Sequence, residues 1–104
     1  MDEYKINISD LAKQDIRDIA DYISNELIEP DFAENTIETI LDSISALNFM
    51  PARVPLVRDW RLAKAEIRGM QVKNYTVFFQ IKDTKKAVDI VRVLYSRRDW
   101  QVIL

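Results

Sequence analysis

Hydrophobic residues change their spacing along the chain in a way that predicts six elements. Tyr4, Ile6 and Ile8 alternate with Lys5 and Asn7, which predicts a short first strand. Ala12, Ile16, Ile19, Ala20, Ile23 and Leu27 then recur at intervals of three and four. This is one apolar helical stripe, with Lys13, Asp15, Arg17, Asp18 and Asp21 facing water. Ser9 is placed to cap that helix, and Asp10 suits its positive end. Pro30 is expected to stop it. A second stripe follows in Ala33, Ile37, Ile40, Leu41, Ile44 and Leu47, with Asp31 and Glu34 at capping-box spacing and Met50-Pro51 at its end.

The longest pattern lies in the second half. Tyr75, Val77, Phe79 and Ile81 alternate with Thr76, Phe78 and Gln80. A polar turn, Asp83 to Lys86, leads into Val88, Ile90, Val91, Val93 and Leu94. β-branched and aromatic residues on both sides of a charged turn predict a hairpin of central strands. Ala65 to Met70 supplies a further short strand. The lone glycine, Gly69, marks a bulge or a close approach. Two helices joined by a short connection cannot leave their stripes in water, so the helical hairpin should cover one face of the sheet. The expected fold class is α+β, in the order β-α-α-β-β-β, with the helical hairpin on one face of an antiparallel sheet. The apolar tail 99–104 should dock as a short segment, and residues 1–104 should form one domain. The second sheet face should stay free, lined by Glu66, Arg68, Thr76, Gln80, Arg92 and the Arg97–Arg98 corner.

Composition narrows the chemistry. The 104 residues are 48% hydrophobic and include no Cys and no His. Disulfides, thiolate metal sites and imidazole acid–base catalysis are therefore excluded, and neither a metal nor another cofactor is expected. No apolar run approaches a membrane span of roughly 20 residues, and the N-terminus lacks the regions of a signal peptide, so a cytoplasmic protein without membrane partners is expected. The net charge of −2 divides unevenly. Residues 1–50 carry a balance of −9 and residues 51–104 a balance of +7, which predicts one electronegative and one electropositive face.

Several residues admit a structural reading. Arg92 lies inside an apolar strand and calls for a carboxylate such as Asp89 or Glu66. Trp60, in the loop 51–64 with Arg53, Arg58 and Arg61, is expected to cap the edge of the core. Arg97-Arg98-Asp99 can be a self-neutralised corner.

The segments SDLAKQDIRDIADYI, Ile67-Arg68, NYTVFFQI and IVRVLYSRRDW, in this order and spacing, resemble the RelE/ParE superfamily of bacterial type II toxins. The resemblance covers nearly the whole chain, and its most specific part is Arg92-Val93-Leu94-Tyr95-Ser96-Arg97-Arg98-Asp99-Trp100. It implies a growth-arresting toxin with a cognate antitoxin as partner. Two targets follow from the two branches: DNA gyrase in ParE-like members, and mRNA on the ribosome in RelE-like ones, which act as metal-independent endoribonucleases. A regulator that binds antitoxin without being toxic is a third possibility. The resemblance singles out Arg68, Arg97 and Arg98 as phosphate-binding or target-facing cations, with Tyr95 to move a proton. RelE-like enzymes usually carry an Arg after the strand tyrosine, whereas Thr76 follows Tyr75 here; Glu66 and Arg68 stand where lysines are expected, and Trp100 where a tyrosine is. These departures favour the gyrase-directed branch.

Overall fold

A computed structural model describes residues 3–96. Its centre is the hairpin of β3 (Tyr75–Lys82) and β4 (Ala87–Tyr95), joined by a 3₁₀ turn at Asp83–Lys85. Strand β2 (Arg68–Val72) pairs antiparallel with β3. Strand β1 (Lys5–Ile8) pairs with the other edge of β4, parallel to it, giving the order β1-β4-β3-β2. The three consecutive strands are antiparallel, as the hairpin pattern predicts, and β1 makes the sheet mixed.

Helix α1 (Asp10–Asp21) starts at Ser9, whose Oγ accepts the Ala12 N–H at 3.0 Å. The same hydroxyl donates to the Val91 carbonyl at 2.9 Å, so one cap also ties α1 to β4. A π-helical turn, Tyr22–Glu26, extends α1, and the chain reverses at Ile28 before Pro30. Pro30 therefore opens α2 (Pro30–Ser45) rather than ending α1, as suits a residue with no N–H to leave unpaired at a first helical position. The capping box expected of Asp31 and Glu34 does not form, because the helix begins two residues too early; Glu29 is the cap residue and makes no side-chain capping bond. A 3₁₀ turn at Ala46–Asn48 ends the second helical segment, and another follows at Pro51–Arg53.

Ala12, Ile19, Ile23, Ala33, Ile40, Ile44 and Leu47 bury the helical hairpin against Val72, Val77, Phe79, Val88, Ile90 and Val93. The opposite face is not free. Phe78 and Leu94 are buried there under Val57, Ile67 and Leu62, the last from a short helix, α3 (Trp60–Lys64). Fully burying one such side chain contributes about 1.5–3 kcal/mol, which is why the 51–64 segment folds over this face. Trp60 does not do the covering. It is 70% exposed, and Leu62 takes the inward position. Gly69 marks a close approach: a Cβ there would stand 3.0 Å from Val57 Cγ1 and 3.2 Å from Thr76 Cγ2.

β4 feeds both cores by alternation, and a bulge switches which parity faces which core. Phe78 is opposite Arg92 but Phe79 is opposite Ile90, so Val91 is an extra residue. Before the bulge, Val88 and Ile90 face the helices; after it, Val93 does, while Leu94 faces the second core.

Among the described residues, five other than glycine hold the left-handed conformation: Ile28, Met50, Glu66, Lys73 and Lys86, with φ between 48° and 62°. Each stands where the chain changes direction. The expected docking of the tail 99–104 lies outside the described residues.

Candidate functional site

Beyond Ile90, β4 has no strand on its outer side among the described residues, since β1 ends at Ile8. Helix α1 covers this edge. Asp15 accepts the Val93 N–H at 3.0 Å and takes the Arg92 guanidinium in a two-point grip, Nε at 2.7 Å and Nη2 at 2.8 Å. Asp15 is thus the partner of Arg92, in place of the expected Asp89 or Glu66, and it is buried rather than facing water. Its hydrogen bonds and charge hold the Arg92 guanidinium above its ordinary range, against the opposing effect of burial. Asp89 instead accepts from the Asn7 side chain on neighbouring β1 at 3.1 Å.

Directly beyond this pair, the end of α1, the start of α2 and the ends of β3 and β4 enclose a cavity of about 640 Å³. Ile19, Ile23 and Val93 make its floor, while Tyr22, Leu27, Phe32, Tyr75 and Tyr95 stand around it. The Tyr75 and Tyr95 rings meet edge to face, centroids 5.8 Å apart at 71°. The Lys73 ammonium lies 5.1 Å from the centre of the Phe32 ring. Tyr22, Leu27 and Phe32 are each 45–54% exposed, a large apolar area for solvent-facing side chains. Thr36 lines the same cavity, and its Oγ1 is buried without a hydrogen-bond partner.

The chemistry of this site is that of a binding pocket. Burial pushes the Tyr75 phenol up, and the neighbouring Tyr95 and Tyr22 push the same way, so Tyr75 stays protonated at neutral pH. Both Asp15 oxygens are engaged. Asp18 and Lys73 supply one charge of each sign, and an apolar side chain next to a charged or amide group fits the lining. Among the described residues, no cluster of His, Cys, Asp or Glu could hold a metal ion.

The sequence-derived site residues divide. Tyr95 lines the cavity. Arg68 does not reach it: in register with Phe79 and four positions along β2 from Val72, it lies on the order of 13 Å from that end of the sheet. It shares the parity of Met70 and Val72 and so faces the helical side, not the second face. Its guanidinium donates to the Val54 carbonyl at 2.6 Å and the Ala52 carbonyl at 3.5 Å, pinning the segment that follows α2. Thr76 and Gln80 do lie on the second face. Thr76 bonds Ser96 Oγ at 2.9 Å, and Gln80 donates to the Ala65 carbonyl at 2.8 Å. Arg97 and Arg98 lie outside the described residues. Tyr22, Phe32 and Lys73 were missed; the available signal was three large or charged side chains flanking the two tightest reversals.

Residues 6–100 match the family described as the ParE toxin of the type II toxin–antitoxin system parDE. The chain belongs to this family, and thus to the RelE/ParE superfamily of toxins. Among solved structures, it is similar to a chromosomal ParDE toxin–antitoxin system from P. aeruginosa, with a TM-score of 0.71 and 17% identity over 91% of this chain and 98% of that one. It is also similar to the toxin–antitoxin complex RelBE2 from Mycobacterium tuberculosis, with a TM-score of 0.60 and 22% identity over 91% and 93%. A mutant of the E. coli toxin RelE in the free state gives a TM-score of 0.64 and 13% identity over 91% and 85%. No curated protein matches the sequence significantly. No helix among the described residues is long and apolar enough to cross a membrane.

Proposed function

We propose that this type II toxin arrests growth by binding and inhibiting a DNA gyrase-like target, and that a cognate antitoxin holds it inactive by seating an apolar side chain in the aromatic cavity. The observation that carries the binding reading is the position after the strand tyrosine. It is Thr76, whose hydroxyl is engaged with Ser96 Oγ at 2.9 Å. Among the described residues, the position after the strand tyrosine supplies no cation for the charge stabilisation that RNA cleavage would call for. Arg97 and Arg98 are assigned to target contact, Tyr95 to the cavity, and Arg68 to holding the 52–54 segment in place.

Two assays test this together. Expression of the chain alone should stop bacterial growth, and the purified protein should inhibit gyrase supercoiling while leaving mRNA on translating ribosomes uncut. Cleavage in the ribosomal A site would replace the gyrase reading with the nuclease one. Normal growth at high soluble expression would remove the toxin reading altogether.

A further inference from the structure

The two sheet faces carry opposite charge. Between Asp10 and Asp42, the helical layer holds ten carboxylates and two cations. Along the cover on the other face, residues 58–67 hold Arg58, Arg61 and Lys64 with two carboxylates, Asp59 and Glu66. Asp59 is occupied, because it caps α3 and accepts the Arg61 and Leu62 N–H groups at 3.0 and 3.3 Å. Among the described residues, no carboxylate pairs with Arg58, Arg61 or Lys64. Leu62 is the inward anchor of α3, so Trp60, Arg61 and Lys64 are turned outward. The Trp60 indole is 70% exposed, with the Arg61 guanidinium 5.9 Å from its ring centroid.

An exposed tryptophan with three unpaired cations beside it is poorly explained by folding. Its removal from α3 would uncover no core residue, and its apolar area stays in water. We propose that α3 and the preceding Arg58 form a contact surface for single-stranded nucleic acid. Trp60 stacks on an unpaired base, and Arg58, Arg61 and Lys64 take phosphates along the strand. Arg61 and Lys64 lie one turn apart, about 4.5 Å along the helix axis, and so can follow one backbone. An acidic peptide would satisfy the cations but offers no ring for the indole. The acidic helical layer repels a polyanion, which leaves the α3 face as the one that approaches it. With a net charge of −2, the chain as a whole gives no general attraction, so binding must come from this patch.

The test is fluorescence anisotropy of a labelled oligothymidine strand against the full chain over a salt series. Three phosphate contacts predict that log Kobs falls with log salt at a slope of about −2. Arg61→Ala combined with Lys64→Ala should flatten that slope by about 1.4. Trp60→Ala should weaken binding about tenfold at fixed salt with the slope unchanged, and Trp60→Phe should recover most of the loss. Melting temperatures should not move, since these side chains are exposed. Absence of binding at low salt, or a Trp60→Ala variant that binds as tightly as the parent, would overturn the proposal. So would duplex DNA binding as well as the single strand, or polyglutamate competing as effectively as unlabelled strand, which would point to an acidic protein instead. The measurement needs neither gyrase nor antitoxin, so it stands or falls apart from the growth and supercoiling assays.

Discussion

Replacing Asp15 with alanine should be among the most damaging single changes in this protein. Three hydrogen bonds end on its carboxylate, two from Arg92 and one from the Val93 N–H. Alanine leaves a half-buried guanidinium without its counter-charge and a strand-edge N–H without an acceptor. Breaking a buried pair from one side costs about 3–5 kcal/mol. The side chains keep 10% and 18% exposure, which lets water relieve part of that, so about 3 kcal/mol is expected. With an unfolding entropy of about 2.1 cal/mol/K per residue, a chain of this length should lose about 14 °C in Tm. Thermal unfolding followed by far-UV circular dichroism reads this directly. Asp15→Leu with Arg92→Met should melt well above Asp15→Ala, because the apolar pair removes the uncompensated charge, although the Val93 N–H still lacks its acceptor, at about 1 kcal/mol. A Tm for Asp15→Ala within about 4 °C of the parent would refute the reasoning, as would a double variant no more stable than the single one.

Arg68→Ala should lower stability by about 1–2 kcal/mol, measured by urea denaturation, because the Val54 carbonyl loses a charged donor at 2.6 Å; this revises the expectation that Arg68 is a freely exposed functional cation. Tyr75 gives a pH signature. Its folded pKa lies above its ordinary value of 10.0, so the contribution to stability is complete below about pH 10 and is lost as pH rises through the folded value. Denaturation midpoints should therefore fall above pH ~10, and Tyr75→Phe should make that fall shallower.

The elements were legible because periodicity carries local information. The helical stripes and the alternation from Tyr75 to Ile81 mark them without reference to anything distant. The placement of β1 parallel to β4 rests on pairing between residues more than eighty positions apart, for which no local pattern exists. The Val91 bulge is hard to read because apolar residues stand on both faces of β4, and only Arg92, in line with Val88, Ile90 and Leu94 under strict alternation, marks the shift. Asp15 is the instructive case at the site. It lies three residues after Ala12 and four before Ile19, on the buried stripe, and a carboxylate there is the signal that something cationic must meet it. Trp60 misled because size argues for packing, yet the smaller Leu62 occupies the one inward position that a five-residue helix offers.

The left-handed corners carry a consequence of their own. In a chain with one glycine, the described residues make five such reversals with side chains in place, each at a cost of about 1–2 kcal/mol in the folded state. Glycine would relieve that strain but enlarge the freedom of the unfolded chain, so the net penalty is smaller than the strain alone. What the chain gains is furnished corners. Ile28 and Met50 project apolar groups into solvent at 79% and 60% exposure, and Lys73 and Lys86 reach aromatic rings on Phe32 and Tyr4. Glycine at these positions would leave bare backbone. As built, the turns of this small toxin are vertices that carry side chains a partner can grip.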